Sequence, residues 1–192
     1  MFAPPATAEM LHILKVKTPE TTQRDIARQL VRQAIRTALA KLLAVDEESI
    51  SLISSPGQPI RLTAPWDHVG ISVSHEPGLS LAAINLAGPV GIDLLRVGVP
   101  LAEIDALARD YLGPTEAIAI ASTPLAQRQM AFALAWARLE ARLKCLALPL
   151  IEWTPALAEQ LATCTVTELV VPTGWVAAVA TLSANLSPVA AG

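Results

Sequence analysis

Between residues 21 and 44 apolar positions return at three-to-five-residue steps, at Ile26, Leu30, Ala34, Leu39 and Leu42, which predicts an amphipathic helix. Thr21 or Thr22 can cap its start. On the polar side Arg24, Arg28, Arg32 and Arg36 keep a strict step of four and form a slowly drifting basic stripe. The pattern then shortens to strand-like pieces at 51–53, 69–74, 79–86 and 90–95, separated by the turn pairs Pro56-Gly57, Pro77-Gly78 and Gly88-Pro89. Val97-Gly98-Val99-Pro100 reads as a linker. Helical patterning resumes at 101–112 and, over a longer run, at 125–147. Two further strands, 166–171 and 175–182, flank Pro172-Thr173-Gly174 as a hairpin. Each half thus offers a helix followed by strands. That order predicts an α+β protein of two similar lobes, residues 1–97 and 98–192.

The chain's 192 residues suit one large domain or two small halves sharing a core. Hydrophobic residues make up 53% and charged residues 16%, ample material for a packed interior. A net charge of −3 argues against general affinity for nucleic acid. Cys145 and Cys164 have no metal-ligand spacing and read as small apolar filler. The first ten residues, MFAPPATAEM, lack the basic and apolar regions of a secretory signal. The most apolar long stretch, 130–151, is interrupted by Arg138, Glu140, Arg142 and Lys144, which rules out a simple membrane span. A soluble cytoplasmic protein is the expectation.

Three groups of residues could carry chemistry. On the long helix Trp136, Glu140 and Lys144 step by four along one side. Phe132, Leu139, Leu143 and Leu146 form the apolar stripe, with Glu140 and Lys144 on one flank and Arg138 and Arg142 on the other. Glu140 and Lys144 could equally be an ordinary surface pair that supports a helix. In Gly91-Ile92-Asp93 a carboxylate interrupts an apolar strand. Buried there, it needs a partner such as a metal ion; otherwise it simply ends the strand. In Ser72-Val73-Ser74-His75-Glu76 a strand closes in polar side chains able to bind phosphate oxygens. A Ser-His nucleophile pair fits poorly, because neighbouring strand residues point to opposite faces.

In their order and separation these pieces resemble the Sfp-type 4'-phosphopantetheinyl transferase family. The resemblance rests on Val73-Ser74-His75, on Gly91-Ile92-Asp93, and on the helix from Trp136 through Glu140 to Lys144. Gly57-Gln58-Pro59 is similar to the family's Gly-Lys-Pro turn, and the segment 27–32 to its first helix. Tyr111 to Glu116 resembles the segment before its catalytic helix, and Gly174 to Ala180 its closing strand. The resemblance spans about residues 20 to 181. It implies a monomer of two pseudo-symmetric lobes, each a small antiparallel sheet packed with a long helix, with coenzyme A in the cleft between them. It also implies transfer of the phosphopantetheine arm of coenzyme A to a serine of an acyl or peptidyl carrier protein. By the same motifs Asp93 and Glu140 bind Mg²⁺, Glu140 is also the general base, and Lys144 neutralises phosphate charge. His75 and Arg28 hold the 3′-phosphate, while Ser74, Gly57, Gln58 and Pro59 line the nucleotide pocket.

Three positions depart from the family's pattern. Leu95 stands where many members carry a second acid, Leu139 replaces a lysine, and Gln58 replaces the lysine of the turn. Some members that lack the second acid draw a metal ligand from the position after the histidine, which here is Glu76. The resemblance therefore implies a three-carboxylate site of Glu76, Asp93 and Glu140, set against the plainer reading of Glu76 as an exposed residue that starts the Pro77-Gly78 turn. The alternative that the departures favour is a degenerate relative that binds coenzyme A or a carrier without transfer.

Overall fold

The computed structural model describes residues 10–20, 24–54 and 59–183. The first half runs β1 (Leu11–Lys17), α1 (Arg24–Leu43), the short β2 (Leu52–Ile53) and β3 (Arg61–Leu62), then β4 (Gly70–Glu76) and β5 (Leu79–Asn85). The second runs β6 (Val90–Arg96), α2 (Leu101–Leu107), α3 (Pro114–Ser122), α4 (Leu125–Cys145), α5 (Pro155–Leu161), β7 (Cys164–Glu168) and β8 (Trp175–Leu182). A wider π-type turn at Ala108–Leu112 joins α2 to the start of α3.

Two antiparallel three-stranded sheets result, ordered β1-β5-β4 and β6-β8-β7. Their connectivity is the same. In each the first strand leads to a long helix, and the last strand inserts between the other two. The mixed α+β fold with small antiparallel sheets and long helices is therefore what the helix-then-strand order leads one to expect. β6 precedes residue 97 in the chain, yet it pairs with β8 from Val90 opposite Thr181 to Arg96 opposite Trp175. The chain thus passes from one sheet to the other in the turn at 86–89.

Alternation along the strands sets the layers. In β5, Ala82 and Ile84 face α1, where Val31, Ile35 and Leu39 meet them at steps of four. Leu79, Leu81 and Ala83 face the other way, onto Val90, Ile92, Leu94, Ala177 and Val179 of the second sheet. All seven β5 residues are buried, as befits a central strand covered on both sides. Each large side chain buried this way contributes about 1.5–3 kcal/mol. α4 covers the outer face of the second sheet through Ala133, Ala137, Ala141 and Cys145. The order of layers is helix, sheet, sheet, helix.

The buried row of α1 includes Leu39, as its spacing suggested, but departs from that spacing nearer the start of the helix. Ile26 and Leu30 are exposed, while Val31, Ile35 and Leu39 form the buried row. α4 is covered on two sides, because Phe132 packs with Ile104 and Ile120 of α2 and α3. Leu139 and Leu143 pack with Leu157 and Leu161 of α5. The small residues between those stripes and the sheet let the helix approach closely. Both cysteines are buried in that layer, and burial pushes the Cys145 thiol up to about 12. No helix among the described residues is long and apolar enough to cross a membrane.

Candidate active site

β4 and β6 are neighbouring edge strands of the two sheets, joined by side chains. Ser72 Oγ accepts a hydrogen bond from Ile92 N at 3.0 Å, and Ser74 Oγ accepts one from Leu94 N at 3.1 Å. Glu76 Oε1 accepts one from Arg96 N at 3.4 Å. Every second residue of β4 thus meets every second residue of β6, so the two strands run parallel. Three side-chain oxygens take the place of a backbone ladder. They satisfy N–H groups that an edge strand would otherwise leave open.

This junction holds Asp93. The residue alternates with Ile92 and Leu94, so it faces α4 while they enter the core between the sheets. Asp93 is only 6% exposed, and two groups compensate its charge. Lys144 Nζ donates to Asp93 Oδ1 at 2.6 Å, and Ser74 Oγ donates to the same oxygen at 3.0 Å. Lys144 Nζ also donates to Ile92 O at 3.3 Å. Glu140, one turn before Lys144 on α4, lies in the field of both. Burial raises its carboxyl above the usual range, the Lys144 ammonium pulls it down, and the Asp93 carboxylate pushes it up.

Lys144 also lines a cleft between the first lobe and the C-terminal end of α4. Two hollows of about 420 and 300 Å³ share Pro59, Ile60, Ile71, Lys144 and Ala147. Arg61, Asp67 and His68 line the smaller one. Pro59 of the expected nucleotide turn is therefore on the cleft wall, whereas Gly57 and Gln58 lie outside the described residues. The same holds for Thr21 and Thr22, the expected caps of α1.

The structure brings Asp93, Glu140, Lys144 and Ser74 together. His75 points to the opposite face of β4 from Ser74, and its Nδ1 lies 2.8 Å from Ser80 Oγ. Arg28 is exposed on the first turns of α1, 3.3 Å from Asp25. Two other arginines of the basic stripe hold a neighbouring segment. Arg32 binds Ser54 Oγ and Leu52 O, and Arg36 reaches Ile50 O at 3.4 Å. Among the described residues no three His, Cys, Asp or Glu side chains form a ready metal cluster. Glu76 instead meets the backbone of Arg96.

Two carboxyl groups facing one ammonium suit a hard cation whose remaining ligands are water and phosphate oxygen. Asp93 and Glu140 have the right donor chemistry for Mg²⁺, and a cation would favour the ionised form of Glu140, which burial and, to a lesser degree, Asp93 oppose. Leu95 lies on the same face of β6 as Asp93 and packs into the layer under α4, so no second strand acid is offered. Leu139 is buried against α5 on the far side of the helix from Asp93.

Two acids and a lysine thus lie close together where the two sheets meet, with Lys144 on the cleft wall. Residues 89–177 match the family model of the 4'-phosphopantetheinyl transferase superfamily. The match contains Asp93, Glu140 and Lys144 and begins after Ser74 and His75. Among curated proteins no match is found.

Sequence reasoning did not find the role of Ser74 as the partner of Asp93. The signal was present in the period-two polar row Ser72, Ser74, Glu76 alternating with Ile71, Val73 and His75. Ser74→Ala is expected to leave Leu94 N buried without an acceptor and Asp93 with one partner fewer. The expected cost is about 1–3 kcal/mol, measured by urea denaturation. An unchanged midpoint would show that the junction does not depend on this hydroxyl.

Proposed function

We propose that the protein transfers the 4'-phosphopantetheine arm of coenzyme A to the serine of an acyl or peptidyl carrier protein, with Mg²⁺. The observation that carries this reading is the Asp93–Lys144 pair beside Glu140, inside the segment that matches the superfamily. Asp93 and Glu140 would hold the ion, which when bound offsets the charge of the donor's pyrophosphate.

The remaining work falls to the chain's own side chains. Glu140, whose carboxyl burial raises above the usual range, takes the proton of the carrier serine. The serine oxygen bonds to phosphorus as the phosphorus–oxygen bond to the nucleotide breaks. Lys144 lines the cleft and donates to a phosphate oxygen, steadying the charge that builds on the departing nucleotide. Ser74 fixes the Asp93 carboxylate through Oδ1. Positioning and charge neutralisation of this kind are most of what phosphoryl transfer requires. Pro59 lines the cleft and would border the nucleotide, while Arg28 and His75, which do not line it, would have to turn toward the donor to hold the 3′-phosphate.

The donor side is tested by calorimetric titration with coenzyme A and with its dephospho form, which lacks the 3′-phosphate. His75→Ala and Arg28→Ala should each weaken coenzyme A by about 1.5–3 kcal/mol and the dephospho form by much less. Equal losses for both ligands would remove these residues from phosphate recognition.

A further inference from the structure

A hollow of about 680 Å³ lies outside the cleft and shares no residue with it. It sits on the other flank of α4, closed by the turn before α3, by α5 and by β7. Its polar content is charged and asymmetrically paired. Arg138 is matched by an ion pair with Glu168. Arg142, one turn further along the same flank, has a buried Nε with no hydrogen-bond partner among the described residues. Arg138 and Glu116 line the same hollow.

A half-buried guanidinium lacking a full set of acceptors is costly, and a planar anion is the partner its fork geometry fits. The walls narrow the choice further. Trp153 and Tyr111 supply aromatic surface, and the rest is mostly apolar side chains from α4, α5 and β7. Glu116 and Glu168 oppose a second negative charge. Such a hollow takes one carboxylate on an apolar body and disfavours phosphate.

We propose that this hollow is a second ligand site, which binds a small organic carboxylate with an aromatic or aliphatic body through Arg142. It is separate from the cleft, so the ligand occupies it together with coenzyme A. Gly113 supports the wall. Its φ of +84° turns the chain into α3, and a Cβ there would overlap the Trp153 indole.

The test uses benzoate, naphthoate, hexanoate and inorganic phosphate, titrated into the whole chain and followed by tryptophan fluorescence and calorimetry. At least one of the carboxylates should bind saturably, with phosphate weaker. Arg142→Gln should weaken it at least about tenfold, the loss of a charge-assisted hydrogen bond. Ala162→Phe, an exposed wall position left chemically neutral, should block the hollow while Arg142 stays in place. Coenzyme A affinity should stay unchanged in both variants and should not compete with the carboxylate. The proposal is overturned if no carboxylate saturates, or if phosphate binds more tightly. Binding that survives both substitutions, or that coenzyme A displaces, overturns it as well. Failure here leaves the transfer reading standing, because none of these residues belongs to the cleft.

Discussion

Asp93→Asn is expected to lower transfer by on the order of 10²–10³-fold or more while the protein stays folded. The amide keeps the size of the side chain and can still accept from Ser74 and Lys144 at its oxygen. What disappears is the charge that faces Lys144 and that a cation would meet. Lys144 is 30% exposed along its side chain, so its ammonium can turn toward water when the pair is broken. The loss of stability should therefore be smaller than the 3–5 kcal/mol typical when a fully buried pair loses one member. Initial rates of carrier modification, with circular dichroism as the check on folding, separate the two effects. Transfer within tenfold of wild type would take Asp93 out of the chemistry.

Gly91→Ala should produce the largest loss of stability. The residue sits on β6 where α4 crosses, and a Cβ there would stand under 3.0 Å from Ala141 O and Cys145 N. Both are backbone atoms of the helix that carries Glu140 and Lys144, so no flexible side chain can give way. Overpacking of this kind typically costs about 1–3 kcal/mol, and the rigid neighbours place this case at or above the upper end. Thermal and urea unfolding should show a variant that is strongly destabilised or fails to accumulate folded. A midpoint within about 0.5 kcal/mol of wild type would mean that α4 does not press on β6 as described.

That close approach bears on what the amino-acid pattern could and could not reveal. The long helix and its two flanks were legible, because Glu140 and Lys144 step by four and Arg138 and Arg142 lie across from them. The strands around Asp93 were legible from their apolar runs and turn pairs. The α4 face that meets the sheet was not. Ala133, Ala137 and Ala141 give a weak apolar signal beside the leucines, yet their small size is what allows contact. The leucine stripe belongs instead to the layer of α2, α3 and α5. Both α3 and α5 begin with proline after a turn residue, a start signal that their short length obscured.

The site was legible through motif order, and its wiring was not. Nothing local to Ser74 marks it as a partner of Asp93, because the two meet only when separate sheets come edge to edge. Likewise the arginines of α1 have a regular spacing that suggests one common task. Arg32 and Arg36 bind the segment around Ile50 and Ser54 instead, which long-range folding decides. The resemblance implied Glu76 as a third metal ligand, and in the fold its carboxylate accepts from the β6 backbone.

The central claim is transfer from coenzyme A at Asp93, Glu140 and Lys144. Its most direct test is the intact mass of apo carrier proteins of the fatty-acid, polyketide and peptide-synthetase types after incubation with the protein, coenzyme A and Mg²⁺. The account predicts that wild type adds one phosphopantetheine to at least one of these carriers, and that Glu140→Ala or excess chelator leaves every carrier unmodified. Carriers that all stay unmodified with wild type, while coenzyme A binds normally, would contradict it.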